Sequence, residues 1–287
     1  MARTNQMRTF TDVLNTLISV LLLWCASSTA VGKTTLESVL ESSGLKAQFS
    51  VDSEPAARLF AQGFGSALPP QLGEEITDIT VRVIAGHDLY AFTKSALADK
   101  ISPRNLRKLS TWFESDLGRK IVTNEVQHAT PEAMERLAAQ LNSLTADQSL
   151  MERARQLDVV LNIAANSARS VQITQTAVTE GILDARGASE EQKESALTEV
   201  RRGVDQGLEE SMTLFVAMAG SPYRSLTHDE FERYLKFLRS KPAQQFHELI
   251  TEASLEAVRI AYYDVGQHLG TFLQNAAREA ATTQSGP

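Results

Sequence analysis

Five histidines, His87, His128, His228, His247 and His268, and 35 acidic side chains carry the metal-ligating and acid–base potential of this chain. Their spacing assembles no familiar catalytic pattern. There is no HExxH run, so the helical face that holds zinc in metalloproteases is missing. His228 precedes Asp229 and Glu230, but adjacent helical positions point apart. His247 and His268 are separated by nearly six helical turns and share a side without being neighbours. Glu190–Glu191 and Glu209–Glu210 read as solvated faces. VGKTT at 31–35 ends like a phosphate-binding loop. That motif needs a glycine where Ser27 stands, and a strand before it.

Three clusters remain as candidates. Ser115, Gly118, Arg119 and Lys120 share the first turn of a helix, where free N–H groups receive either an anion or a serine cap. Trp112 and Phe113 continue a stripe from Leu106 and Leu109; such rings fill a core or, at Trp112, line a groove for a ligand or peptide. Tyr262 and Tyr263 precede Asp264. Neighbours on a helix cannot both face the core, so one of them, with Tyr263 the candidate, is expected to present its hydroxyl at a crevice between the two halves of the chain.

The chemistry open to the chain narrows further at the N-terminus. Arg3 and Arg8 precede an apolar stretch, Leu14 to Trp24, followed by the small residues CASSTA. This is the three-part pattern of a cleavable signal peptide, too short to span a bilayer comfortably. Cleavage is expected near Ala30. It would remove Cys25, the sole cysteine. Trp24 is too large for the position before a lipidated cysteine. A mature chain without thiols excludes a cysteine nucleophile, an iron–sulfur centre and a sulfur-ligated zinc. The net charge is −7, and losing Arg3, Arg8 and Asp12 makes the remainder one charge more negative. That balance disfavours nucleic acid and anionic membrane surfaces, leaving membrane contact to an uncleaved signal segment. No cofactor is expected.

The elements that would position these residues all read as helices. Thr34–Gln48 gives a short helix closed by Gly44. GFGSALPPQLG breaks the chain. Residues 76–99, with Ile76, Ile79, Val83, Tyr90 and Phe92, alternate ambiguously and are assigned to a buried helix. Ser102–Pro103 starts a helix, Ser115 the next and Thr130–Pro131 a third. Thr145 with Gln148 forms a capping-box pattern ahead of a long helix from Leu150 to Ala168. Gly181 and DARGA interrupt. Ser189 with Gln192 and Thr227 with Glu230 open two more helices, and Ser240–Lys241–Pro242 restarts the last. The tail at 279–287 should fray.

A shift of 125 residues superposes two of these units. Ser102 meets Thr227 and Ser115 meets Ser240. Leu106, Leu109, Trp112, Phe113 and Ile121 meet Phe231, Tyr234, Phe237, Leu238 and Phe246. The expected architecture is therefore an all-α bundle of two similar packed halves, 31–145 and 146–278.

LSTWFESDLGRKIVTNE at 109–125 resembles the aromatic–aromatic–x–Ser–x–x–Gly–x–Lys–Ile signature of a family of uncharacterised bacterial exported proteins, a domain of unknown function. Trp112, Phe113, Ser115, Gly118, Lys120 and Ile121 match in order. The second copy keeps Phe237, Leu238, Ser240 and Phe246 but has Ala243 for the glycine and Gln245 for the lysine. The resemblance covers roughly a fifth of the chain. It implies a periplasmic helical protein and no known chemistry. The reading is a noncatalytic binding or structural module of the cell envelope, its partner an envelope protein or small ligand. The alternative is an envelope hydrolase using carboxylate or metal chemistry.

Overall fold

The structure, a computed structural model, describes residues 34–49, 57–58, 60–61 and 70–284. The signal segment, Cys25 and the cleavage site lie outside the described residues. Those described form α-helices and one 3-10 turn, with no strand among them. In order they are α1 (Leu36–Ser42), α2 (Leu45–Phe49), α3 (Pro70–Ala85), α4 (Leu89–Leu97), α5 (Pro103–Phe113), α6 (Asp116–Ala129), α7 (Pro131–Ala139), α8 (Leu141–Ala146), α9 (Gln148–Leu161), α10 (Ile163–Ala185), α11 (Glu190–Gly220), the 3-10 turn Ser221–Tyr223, α12 (His228–Leu238) and α13 (Lys241–Gln284).

Side-chain caps set most of the starts. Ser102, Ser115, Ser189 and Thr227 each accept from the backbone N–H three residues on. At Ser189 and Thr227 the reciprocal bond completes the capping box. Each satisfies a donor that the helix cannot satisfy itself.

Four expectations need correction. Residues 76–99 are two helices, because Asp88 caps a new start at Leu89 with its carboxylate on Ala91 N; Phe92 there is exposed. Thr145 is not a cap. Asp147 accepts from Leu150 N, while Thr145 donates back to Asn142 O. The long helix after it breaks at Asn162, whose left-handed backbone (φ 52°) ends α9. Finally, Gly181 does not interrupt a helix. It lies within α10, buried against α13.

That crossing organises one core. A Cβ on Gly181 would stand 2.2 Å from Tyr263 O, and one on Gly266 would stand 2.2 Å from Val178 O. The two backbones touch because neither glycine has a side chain to separate them. Around them pack Phe60, Ile76, Ile79, Tyr262, Val265 and Leu269. A second core is larger and aromatic. It joins α1 and α4–α6 to α9, α12 and the first turns of α13, through Leu40, Leu109, Phe113, Ile121, Tyr234, Leu238 and Phe246. α13 takes part in both cores.

Candidate functional site

The stripe of α6 explains where the unusual chemistry lies. Leu117, Ile121, Val122 and Ala129 face inward at helical spacing, and Glu125 stands among them. A carboxyl is thus carried into the aromatic core by the same periodicity that buries its neighbours. It is 7% exposed.

Two hydroxyls meet it. Tyr223 donates to Glu125 Oε1 at 2.5 Å from the 3-10 turn, and Tyr234 donates to the same oxygen at 3.1 Å from α12. The two phenol rings lie 5.2 Å apart. Glu125 Oε2 is buried without a hydrogen-bond partner. Burial pushes the carboxyl up to about 8, and the two hydroxyls pull only partly against it. Desolvation and the neighbouring carboxyl hold the Tyr223 phenol well above its usual range. Burial therefore favours the neutral acid of Glu125 in the folded protein.

Trp112 adjoins this cluster. Its indole stacks on Phe237 at 4.3 Å and lies parallel to Tyr234 at 6.4 Å. Phe113 meets Phe237 edge-on and tilts against Phe246. Trp112 and Phe237 are only half-buried, in contrast to fully buried Phe113. The Trp112 indole N–H is nevertheless enclosed and has no acceptor. Two buried polar atoms without partners, Trp112 Nε1 and Glu125 Oε2, thus belong to side chains that both adjoin Tyr234.

The other candidates are engaged in packing and pairing. The Ser115 hydroxyl accepts from Gly118 N at 3.0 Å and donates to Trp112 O at 2.6 Å. A Cβ on Gly118 would fall 2.1 Å from Trp112 O, so the glycine is what lets α6 start so close to the end of α5. Lys120 forms an ion pair with Glu230 at 2.7 Å. Tyr263 is separate from this group. Its hydroxyl donates to Asp184 of α10 at 2.7 Å, and Lys193 of α11 holds that carboxylate from 2.6 Å. Both contacts keep Asp184 below its usual range, the lysine being the stronger influence.

The histidines do not converge. Among the described residues no group of three or more His, Cys, Asp or Glu is placed to hold a metal ion. His87 Nε2 lies 3.1 Å from Asp264 Oδ2, and His268 Nδ1 lies 2.9 Å from Asp264 O. Burial of the His247 ring holds its imidazole down to about 3. No helix among the described residues is long and apolar enough to cross a membrane.

No protein-family model, curated protein or solved structure matches this chain.

The 125-residue shift reappears in contacts between α5–α6 and α12–α13. α5 and α12 have the same length and the same offset at both ends. Trp112 and Phe237, equivalent under the shift, stack on each other. Asn105 donates to Gln245, and Lys120 pairs with Glu230. These are the same two positions taken in opposite order. Under the same shift Glu125 corresponds to Ile250, and Tyr234 to Leu109, both buried and apolar.

Sequence reasoning missed Glu125, Tyr223 and Tyr234. A signal existed. Glu125 follows Ile121 by four residues and Leu117 by eight, on the inward face of α6.

Proposed function

We propose that this protein is an exported, noncatalytic scaffold of the cell envelope, built on two like helical units that meet face to face. The observation that carries this reading is the reciprocal contact of equivalent positions, centred on the Trp112–Phe237 stack. The residues of the exported-family signature take part in that joint: Trp112 and Phe113 supply its rings, Ser115 and Gly118 its tight turn, and Lys120 a flanking ion pair. That use requires shape rather than reactivity. The strongest acid–base feature, Glu125, is enclosed behind Tyr223 and Tyr234, which suits a structural role. Export to the periplasm rests on Arg3, Arg8 and the apolar segment that follows them.

Three measurements test this reading. Intact-mass analysis of protein from the envelope fraction should find an N-terminus within a few residues of Val31. A chain starting at Met1 in that fraction would refute cleavable export, and a diacylglycerol on Cys25 would make it a lipoprotein. Melting of W112A is then set beside its binding to envelope components. The scaffold reading expects lowered stability with any specific partner retained. Near-native stability with a partner lost would make Trp112 a recognition residue. Hydrolytic activity lost in folded E125Q would favour the enzyme alternative.

A further inference from the structure

The connection from Gly220 to Thr227, between α11 and α12, is fastened by side chains of other elements. Asn124 of α6 donates to Pro222 O at 3.1 Å and to Ser225 Oγ at 3.0 Å. Arg153 of α9 donates to Tyr223 O at 3.1 Å and Leu226 O at 2.7 Å. The Tyr223 hydroxyl donates to Glu125. Ser221, Tyr223 and Leu226 are buried by these contacts.

Glu125 is the fastener whose charge can change near neutrality. As a carboxylate it would bury a full charge with Oε2 receiving no hydrogen bond, an arrangement that water would relieve. The charged groups on the surrounding elements are directed elsewhere. Arg153 places its guanidinium on the two carbonyls and over the Phe231 ring. Arg224, in the connection itself, pairs with Asp147. Lys120 pairs with Glu230, and His128, one turn along α6, contacts Asn124 O. Lys46 of α2 pairs with Glu41. Arg104, Arg107 and Lys108 of α5, Glu132, Glu135 and Arg136 of α7, and Arg233 and Lys236 of α12 are exposed. His247 of α13 stays neutral in its buried site. Tyr223 and Tyr234 are the titratable groups in contact with the carboxyl.

We propose that Glu125 is a proton-operated latch: the closed 220–227 connection, with Tyr223 donating to it, keeps its carboxyl buried with one oxygen unpartnered and so neutral, and opening the connection admits water and releases its proton to solvent. The closed form binds the proton more tightly than the opened form, in which the carboxyl returns to the ordinary range near 4.5. Closure is therefore strongest below about pH 4.5. It weakens by up to about tenfold per unit as pH rises towards about 8, and then levels off once the closed form is ionised too.

Hydrogen–deuterium exchange on the full chain reads this directly, after correction for the intrinsic pH dependence of amide exchange. From about pH 6 to about pH 8, protection of amides at 221–227 should fall by about ten- to a hundredfold, while the α10–α13 crossing holds steady. E125Q should abolish that fall. If E125Q does not fold, Y223F carries the test. It keeps the carboxyl and removes one donor to its anion, so the pH at which protection levels off should move above about 8. Three results would each overturn the latch: wild-type protection constant within about twofold over that range, an equal fall in E125Q, or a levelling point in Y223F that is unmoved or lower.

Discussion

The Trp112 indole lies flat against the Phe237 ring, with 4.3 Å between centroids and 9° between planes. The two residues hold the same place in α5 and α12, so the contact ties like position to like position. Each ring is half-buried, and truncation removes less than it would from a sealed core. W112A is expected to cost about 2–3 kcal/mol, against about 3–5 kcal/mol for a fully buried large aromatic. A double-mutant cycle with F237A should give a coupling of about 0.5–1.5 kcal/mol. Denaturant titration of the four proteins measures both. Strictly additive losses would mean that the stack contributes nothing as a pair.

The α5–α6 turn distinguishes a cap from a close approach. S115A loses one capping bond and should cost about 0.5–2 kcal/mol. G118A must push its new methyl against Trp112 O, which lies 2.1 Å from the Cβ position, and should cost about 2–3 kcal/mol. Ala243, 125 residues further on, is fully buried with its methyl in place. Thermal melts of the two variants should therefore rank G118A below S115A.

Two glycines on adjacent helices should respond to alanine with opposite signs. At Gly181 a Cβ meets Tyr263 O at 2.2 Å, and G181A is expected to destabilise by about 3 kcal/mol as α10 and α13 are forced apart. At Gly203, exposed within α11, a Cβ meets nothing within 4 Å. There, G203A should stabilise by about 0.5–1 kcal/mol, because alanine has less backbone freedom to lose in a helix. Melting temperatures moving in the same direction would contradict this.

Stability should pass through a broad maximum in mildly acidic solution. The His247 imidazole is depressed from 6.5 to about 3, so its contribution is full above about pH 6.5 and is lost as pH falls towards 3. The Glu125 carboxyl is raised from 4.5 to about 8, so its contribution is full below about pH 4.5 and is lost as pH rises towards 8. Between about pH 4.5 and 6.5 the two slopes oppose each other. Melting curves across this range should show both arms, with H247Q flattening the acidic one and E125Q the alkaline one.

The helical starts were legible because their cause is local. Ser102, Ser115, Ser189 and Thr227 each bond a backbone N–H three residues away. Thr145 misled because Asp147, two residues on, offers a carboxylate to the same kind of donor and takes the cap. Gly181 misled for a different reason. A lone glycine weakens a helix, and its compensation, the backbone of α13, lies more than eighty residues further along the chain. Trp112 was expected to be a core residue or a groove wall; its half-burial depends on Phe237, which periodicity within α5 cannot reveal. Glu125 stood on the inward stripe in plain view, but its meaning required Tyr223 and Tyr234, brought to it from roughly a hundred residues downstream.

The participation of α13 in both cores has a consequence for biogenesis. At about 1.5 Å per residue its 44 residues extend for about 66 Å. It supplies Phe246 and Ile250 to one core and Tyr262, Val265 and Leu269 to the other. Translation delivers this helix after every other described element. Until it emerges from the ribosome, the inward faces of α3, α5 and α10 lack the surface against which they pack. Both cores therefore wait on the last of the described helices to be synthesised, and the faces it covers stay exposed for the whole of the preceding synthesis.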